Sequence, residues 1–347
     1  MQIFKGWKEF KAKPQAEKFQ YFSRPSSLQN KTIHHLIYAQ QLTREFTGEL
    51  FALADKIRDM AKTKEGMDSL QRLASDKRAM LFFVQPSTRT FLSFLNACHI
   101  LGIKTSEIRD TATSSEIKGE SPEDAVRTFS SYVDLIIVRH AEEGFAEKSA
   151  WVLNQSGRPI PIINGGSGKD EHPTQALLDL YTINRSLGKI DGKKIAMVGD
   201  LKRGRTIRSL SQLLANYSDV EIFFAAAEQY QMKDDILEYL KKRGVPFSLT
   251  SDFESVIPKA DVIYCTRIQD EYDENGESEK IDYRKFHFEE RHLASLKKDA
   301  IIMHPFPRRL EIATAIDNDP RAKYWEQARN GMWIRAALML KILGREP

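Results

Sequence analysis

The sequence predicts an α/β protein of two domains, each with a central parallel sheet flanked by helices, and a C-terminal helix returning to the first domain. Three observations predict this class. Short apolar runs bounded by turn residues recur along the chain, as buried parallel strands do. Segments of helical period separate them and supply the crossovers. At 347 residues the chain is long for one α/β core and comfortable for two.

Taken in order, the first 30 or so residues are rich in Lys and aromatic side chains but lack the apolar block of a signal peptide. Glu9 and Glu17 argue against a transit peptide, and an extension is expected, frayed or packed on the domain surface. Residues 79–84 form the first strand and lead into Ser87-Thr88-Arg89-Thr90, which opens a helical segment. Residues 135–138 end in Arg139-His140. Residues 159–163 end in Asn164-Gly165-Gly166, followed by His172-Pro173-Thr174-Gln175 at a helix start. Residues 194–198 end in Gly199-Asp200, then Gly204-Arg205-Thr206. Residues 262–266 run into Arg267-Ile268-Gln269, and residues 300–303 into His304-Pro305-Phe306-Pro307. The charged segment 269–291 reads as a long surface loop, a flap over the site it starts from. Residues 322–343 have helical period, interrupted only by Gly331.

These elements give a first domain over 1–170, including the extension, and a linking helix over 171–187. A second domain follows over 188–320, and 321–347 forms the helix that packs on the first. In open α/β sheets ligands sit beyond the carboxyl ends of the strands, so six strand ends nominate one cleft.

Composition narrows the function. The 52 Lys and Arg balance 48 Asp and Glu, leaving +4 with the signs mixed along the chain, which argues against nucleic acid as the partner. No stretch approaches the roughly 18 apolar residues of a membrane span. Cys98 and Cys265 fall in a helix and a strand of different halves, so no disulfide framework is implied and a reducing, cytoplasmic setting is expected. Gly165 to Asp170 is not a P-loop: Ile163 occupies the place of its first glycine, and Asp170 that of its Ser or Thr. The turn after Val198 lacks the dinucleotide Gly-x-Gly-x-x-Gly. No metal-ligand spacing occurs, and neither metal nor cofactor is expected.

Arg89, Arg139, Arg205 and Arg267 end four separate strands, and Asp200 is the plain acidic exception beside them. A lone arginine there is ordinarily a salt bridge; four together point to anions, which guanidinium forks grip bidentately. At the strand-to-helix turn of residues 87–90, unpaired helix N–H groups, hydroxyls and a guanidinium converge as a phosphate requires. His172, at a helix N-terminus, is expected to stay neutral and donate to a carbonyl gaining negative charge. His304 shapes the turn into Pro305-Phe306-Pro307, where a cis peptide would aim carbonyls into the cleft. His34, His35, His99, His287 and His292 carry no flanking motif.

Together, residues 87–90, Arg139-His140 with Glu143-Gly144, residues 172–175, Gly204-Arg205-Thr206, Thr266-Arg267-Ile268-Gln269 and residues 304–307 resemble the aspartate carbamoyltransferase catalytic chain. The matches keep family order from about residue 80 to Arg335. The first pair of them is common to all carbamoyltransferases; the segments at 266–269 and 304–307 point to aspartate rather than ornithine. The resemblance implies carbamoyl phosphate and L-aspartate as substrates. Ser87, Thr88, Arg89 and Thr90 would hold the phosphate. Arg139, His172 and Thr90 would polarise the carbonyl, and Gln175 with the backbone near Pro305 to Pro307 would hold the carbamoyl NH2. Arg205, Thr206, Arg267, Gln269, Phe306 and Pro307 would bind aspartate. Ser114 and Lys118 match the family's loop that enters the neighbouring subunit's site and touches both substrates, which implies a homotrimer with shared sites. Regulatory or pathway-enzyme subunits are left open by the sequence.

The chain departs from the family pattern at four positions. Phe91 and Leu95 replace an Arg and Glu at helical i,i+4 spacing, which reads as repacking. Gln85 replaces a frequent Glu and Tyr272 an Arg, groups that in the family help hold the domains closed; weaker aspartate binding is the expected result. A carbamoyltransferase for another amine, or a non-catalytic binding subunit, remain as alternatives. The first leaves Arg267 and Gln269 without a role; the second usually loses a phosphate-site or carbonyl-site residue, and none is missing here.

Overall fold

The computed structural model describes residues 2–23, 33–110, 119–166, 168, 171–270 and 282–347. The chain divides into two compact units, Met1–Thr174 with Gly331–Pro347, and Gln175–Asn330.

Unit one opens with helices α1 (Gln2–Lys11) and α2 (Gln15–Ser23), then α3 (Arg44–Met60) and α4 (Lys64–Leu70). Thr43 and Thr63 cap the last two, their hydroxyls accepting from Phe46 and Gly66 N–H. Strands and helices then alternate: β1 (Arg78–Phe83), α5 (Thr88–Ile100), β2 (Lys104–Ile108), α6 (Pro122–Ser130), β3 (Leu135–Arg139), α7 (Phe145–Asn154) and β4 (Ile162–Asn164). The four strands are parallel in the order β2-β1-β3-β4. β1 and β3 are central and buried, so they read as unbroken apolar runs; β2 is an edge strand with polar, half-exposed side chains. Register pairs Phe83 with Arg139 and Val138 with Asn164, which brings the chain leaving β1, β3 and β4 to one edge of the sheet.

The N-terminal extension is packed, not frayed. Trp7 and Phe10 lie 5.6 and 6.4 Å from Trp151 of α7, and Phe10 and Phe22 are buried. Tyr21 Oη accepts from Gln155 Nε2 at 2.8 Å, and Lys18 pairs with Glu147 at 3.1 Å. Beneath it, His35 Nδ1 accepts from Ile162 N–H at 3.0 Å and its Nε2 lies 2.9 Å from Asn154 Oδ1, which together define a neutral ring with the proton on Nε2. Burial pushes His34 down to about 4 and His35 to about 3.

Unit two contains most of α8 (Pro173–Leu187), then β5 (Lys194–Val198), α9 (Arg205–Leu214), β6 (Glu221–Ala225), α10 (Asp234–Lys242), β7 (Phe247–Thr250), β8 (Val262–Cys265), β9 (Ile301–Met303) and the first turns of α11 (Tyr324–Leu343). Its five strands are parallel in the order β7-β6-β5-β8-β9. Val198 pairs with Cys265 and Tyr264 with Met303, so the segments after β5, β8 and β9 leave from one edge. The turn at Gly199, φ +114°, requires glycine: a Cβ there would sit 2.2 Å from Thr266 O.

α8 and α11 each pass from one unit to the other, at Thr174 and at Asn330. The C-terminal part of α11 belongs to unit one, where Arg335 donates to Ser93 and Thr174 and Lys341 pairs with Glu49. α11 starts at Tyr324 and runs unbroken through Gly331. Within the charged segment 269–291, residues 271–281 lie outside the described residues, while Tyr283–Phe286 forms a 3-10 turn and another begins at Glu290. No helix among the described residues is long and apolar enough to cross a membrane.

Candidate active site

In unit one, Ser87 is the N-cap of α5 but makes no capping hydrogen bond with its side chain. The first-turn N–H groups of α5 have no intrahelical acceptor, and a ligand anion would satisfy them. Thr88 and Arg89 are exposed in that turn and Thr90 is buried. A cavity of about 350 Å³ opens here, lined by Phe83, Pro86, Ser87, Thr88 and Arg109. The Arg109 guanidinium stacks 4.2 Å over the Phe91 ring, so its face is used while, among the described residues, its N–H edges are left for an anion.

Behind this cavity Thr90 Oγ1 lies 3.5 Å from His172 Nε2, and buried Arg139 donates from Nη1 to Gly165 O at 3.3 Å. Gly166 separates Arg139 from His172. Its φ is +98°, and a Cβ would fall 2.9 Å from both Arg139 Nη1 and His172 Cδ2. The turn is held by Gly166 N–H donating to Asn164 Oδ1 at 2.9 Å while Asn164 Nδ2 donates to Ile37 O at 3.0 Å. His140 has a structural place: its Nδ1 accepts from Glu142 N–H, its ring stacks 4.0 Å from Phe145, and burial lowers its pKa.

In unit two, Gln175 Nε2 donates to Asp179 Oδ1 at 2.9 Å. Arg205 and Thr206 open α9, with Gly204 as N-cap. Asp200, fully buried, accepts from Arg203 N–H and from Gln269 N–H, and Arg203 Nη1 donates to Gln269 O at 3.0 Å. Asp200 and Arg203 therefore fix the backbone of Gln269, and Arg267 Nη1 donates to Ile268 O. After β9, Phe306-Pro307 is cis, as the paired prolines suggested, and Phe306 has φ +58°. His304 Nδ1 accepts from Phe306 N–H at 2.8 Å, which makes Nε2 the protonated nitrogen, donating to Glu311 Oε1 at 2.8 Å. Burial opposes ionisation of Glu311, but the hydrogen bond from His304, with backbone bonds including that of Arg309, outweighs it and holds the carboxyl below its ordinary value.

The structure thus gathers Ser87, Thr88, Arg89, Thr90, Arg139 and His172 in unit one, and sets Gln175, Arg205, Thr206, Arg267, Gln269, Phe306 and Pro307 in unit two. Ser114, Lys118 and Tyr272 lie outside the described residues. Gln85 is described, and its buried Oε1 meets no hydrogen-bond partner among the described residues. Sequence reading missed Arg109, Gly166 as a spacer, Asp179 and Arg203. Arg109 alone carried a usable signal, since it too is an arginine at a strand end. Among the described residues no group of His, Cys, Asp or Glu could hold a metal ion.

Comparison with known proteins places this arrangement. Residues 34–185 match the family model described as aspartate/ornithine carbamoyltransferase, carbamoyl-P binding domain. Residues 191–342 match its Asp/Orn binding domain. The chain is 43% identical over 312 residues to aspartate carbamoyltransferase 2, chloroplastic, of Pisum sativum, covering 89% of this chain and 78% of the relative. It is 40% identical to the aspartate carbamoyltransferase catalytic subunit of Methanobrevibacter smithii, covering 85% and 90%. Among solved structures, Trypanosoma cruzi aspartate transcarbamoylase in complex with N-(phosphonacetyl)-L-aspartic acid is similar with a TM-score of 0.82 at 34% identity, covering 89% of this chain and 95% of that one.

Proposed function

Because the chain belongs to the aspartate/ornithine carbamoyltransferase family, we propose that it transfers the carbamoyl group of carbamoyl phosphate to the amine of L-aspartate. The products are N-carbamoyl-L-aspartate and phosphate, an early step of de novo pyrimidine biosynthesis. The observation that carries this reading is the grouping of Arg139 and His172 against Gly166 with Thr90 beside His172, three polar side chains fit to receive one developing oxyanion. The choice of aspartate rests on Arg267, Gln269 and the segment His304 to Pro307, and on relatives that carry its name.

Ser87, Thr88, Arg89 and Thr90 hold the phosphate. Arg139, Thr90 and His172 draw electron density onto the carbonyl oxygen, and Gln175 with the carbonyls near Pro305 to Pro307 holds the NH2. Arg205, Thr206, Arg267, Gln269, Phe306 and Pro307 grip aspartate. Its amine nitrogen attacks the carbonyl carbon, the C–O bond to phosphate breaks, and the leaving phosphate takes the amine proton. Alignment and oxyanion stabilisation supply the rate, with no covalent enzyme intermediate.

The active unit in this reading is a homotrimer, Ser114 and Lys118 of one subunit completing the site of the next. Lys118→Ala is then expected to lose most activity while the trimer persists; a fully active monomer would refute the shared site. We place the chain in the cytoplasm, supported by two buried free thiols, Cys98 and Cys265, which suit a reducing compartment.

Initial-rate formation of carbamoyl-aspartate tests the central reading, with L-ornithine, its N-acyl derivatives and other amino acids in parallel. Turnover with aspartate alone is expected. No turnover with any amine, despite tight binding of carbamoyl phosphate, would make the chain a binding subunit.

A further inference from the structure

We propose that Asp179 is a positioning residue that fixes which end of the Gln175 amide faces the substrate, and so selects a carbamoyl group over an acetyl group of the same shape. The inference rests on the carbamoyl-transfer reading above and goes beyond it in naming what sets the acyl specificity.

Asp179 is fully buried in unit two, and three donors converge on its carboxylate. Gln175 Nε2 reaches Oδ1 at 2.9 Å, Gln327 Nε2 reaches the same oxygen at 2.7 Å, and the Tyr264 hydroxyl reaches Oδ2 at 2.7 Å. A carboxylate only accepts, so the polarity of both glutamines follows from chemistry. Gln327 confirms it independently, because its Oε1 accepts from a backbone N–H, that of His304, at 2.8 Å. Tyr264, its phenol pushed well above the ordinary value by burial and the adjacent carboxylate, remains a donor and is itself hydrogen-bonded by Thr206.

With Nε2 committed to Asp179, Gln175 presents Oε1 to whatever it meets. A half-turn of the amide would set oxygen against oxygen inside a buried, low-dielectric network, where each lost bond is costly. An outward Oε1 requires a donor from its ligand. Carbamoyl phosphate has one in its NH2; acetyl phosphate, equal in shape and phosphate charge, has a methyl group there. Gln175 lies four residues from Asp179 on α8, so the two face one another across one helical turn. The same hub reaches Thr206 at the start of α9 through Tyr264, and the turn of residues 304–307 through Gln327.

The test compares inhibition by acetyl phosphate with half-saturation by carbamoyl phosphate, in wild type and in Asp179→Asn, alongside direct binding of inorganic phosphate. Asparagine can donate as well as accept, which frees Gln175 to turn over. The preference for carbamoyl over acetyl is expected to fall at least about tenfold, with phosphate affinity unchanged. A preference that persists undiminished in Asp179→Asn overturns this inference alone. A wild type that binds neither acyl phosphate overturns the carbamoyl-transfer reading with it. If Asp179→Asn does not fold, the wild type decides by NMR of the Gln175 side-chain amide, identified by its loss in Gln175→Met. One slowly exchanging amide proton, retained with and without carbamoyl phosphate, is expected, and rapid exchange of both overturns the lock.

Discussion

Thr90 Oγ1 stands 3.5 Å from His172 Nε2, although the two residues are 82 positions apart and belong to different helical segments. On its other side His172 shares room with Arg139 because Gly166 has no side chain: a Cβ there would sit 2.9 Å from both.

Gly166→Ala is therefore expected to damage catalysis far more than folding. The new Cβ would meet Arg139 Nη1 and the His172 ring at 2.9 Å, and φ +98° is unfavourable for alanine. Displacing two carbonyl-polarising groups by a fraction of an ångström is expected to lower kcat about a hundredfold, against a stability cost of about 1–3 kcal/mol. Paired rate and thermal-melting measurements check it; an unchanged kcat would refute the spacer role.

Arg109→Ala is expected to weaken inorganic phosphate binding about tenfold, the equivalent of one charge-assisted hydrogen bond, and Arg109→Lys is expected to restore part of it. Isothermal titration without aspartate isolates the effect from the amine half of the reaction. Equal affinity in all three proteins would show that the cavity shared with Ser87 and Thr88 is no part of the phosphate site.

Phe22→Ala is expected to cost about 3–5 kcal/mol, the range for a fully buried aromatic side chain, because Phe22 packs edge-on against Phe10 and His35. Urea unfolding reads the loss, and kcat is expected to stay within twofold. A loss below about 1 kcal/mol would mean that the extension contributes little.

Acid is expected to destabilise the protein well above the carboxylate range. His34 and His35 have folded-state values near 4 and 3, below the ordinary 6.5. Between those limits the unfolded chain binds more protons than the native one, so stability is full above about pH 6.5 and falls as pH drops. The slope approaches about 1.4 kcal/mol per pH unit for each histidine. Urea midpoints at pH 7, 6 and 5 should decline, and His35→Asn should flatten the decline; a flat profile in the wild type contradicts it.

The sequence made legible those elements that announce themselves by contrast. β1, β3, β5, β8 and β9 are apolar runs ending abruptly in polar or turn residues, and each was found within about two residues. β6 is just as apolar but ends in Ala226-Ala227, so a reading guided by polar strand ends passed over it. β2 and β7 are edge strands whose half-exposed side chains carry no apolar run to recognise. Missing β2 also hid Arg109. β4, expected over 159–163, is strand over Ile162–Asn164 and so starts only after Pro161, which cannot donate to the ladder. Apart from Arg109, site residues that would touch substrate were legible from motif; those that act through another residue were not. Asp179 is one acid on an amphipathic helix until the structure puts Gln327 and Tyr264 against it.

The packed extension also imposes an order on synthesis. Tyr21 and its partner Gln155 are 134 residues apart, and at about 5–20 residues per second the ribosome needs roughly 7 to 27 s to make the second after the first. Through that interval Trp7, Phe10 and Phe22 have emerged while Trp151 has not. Helices α1 and α2 are thus translated well before the helix they pack on but dock late, and a nascent-chain chaperone that favours aromatic segments would find a long window on them.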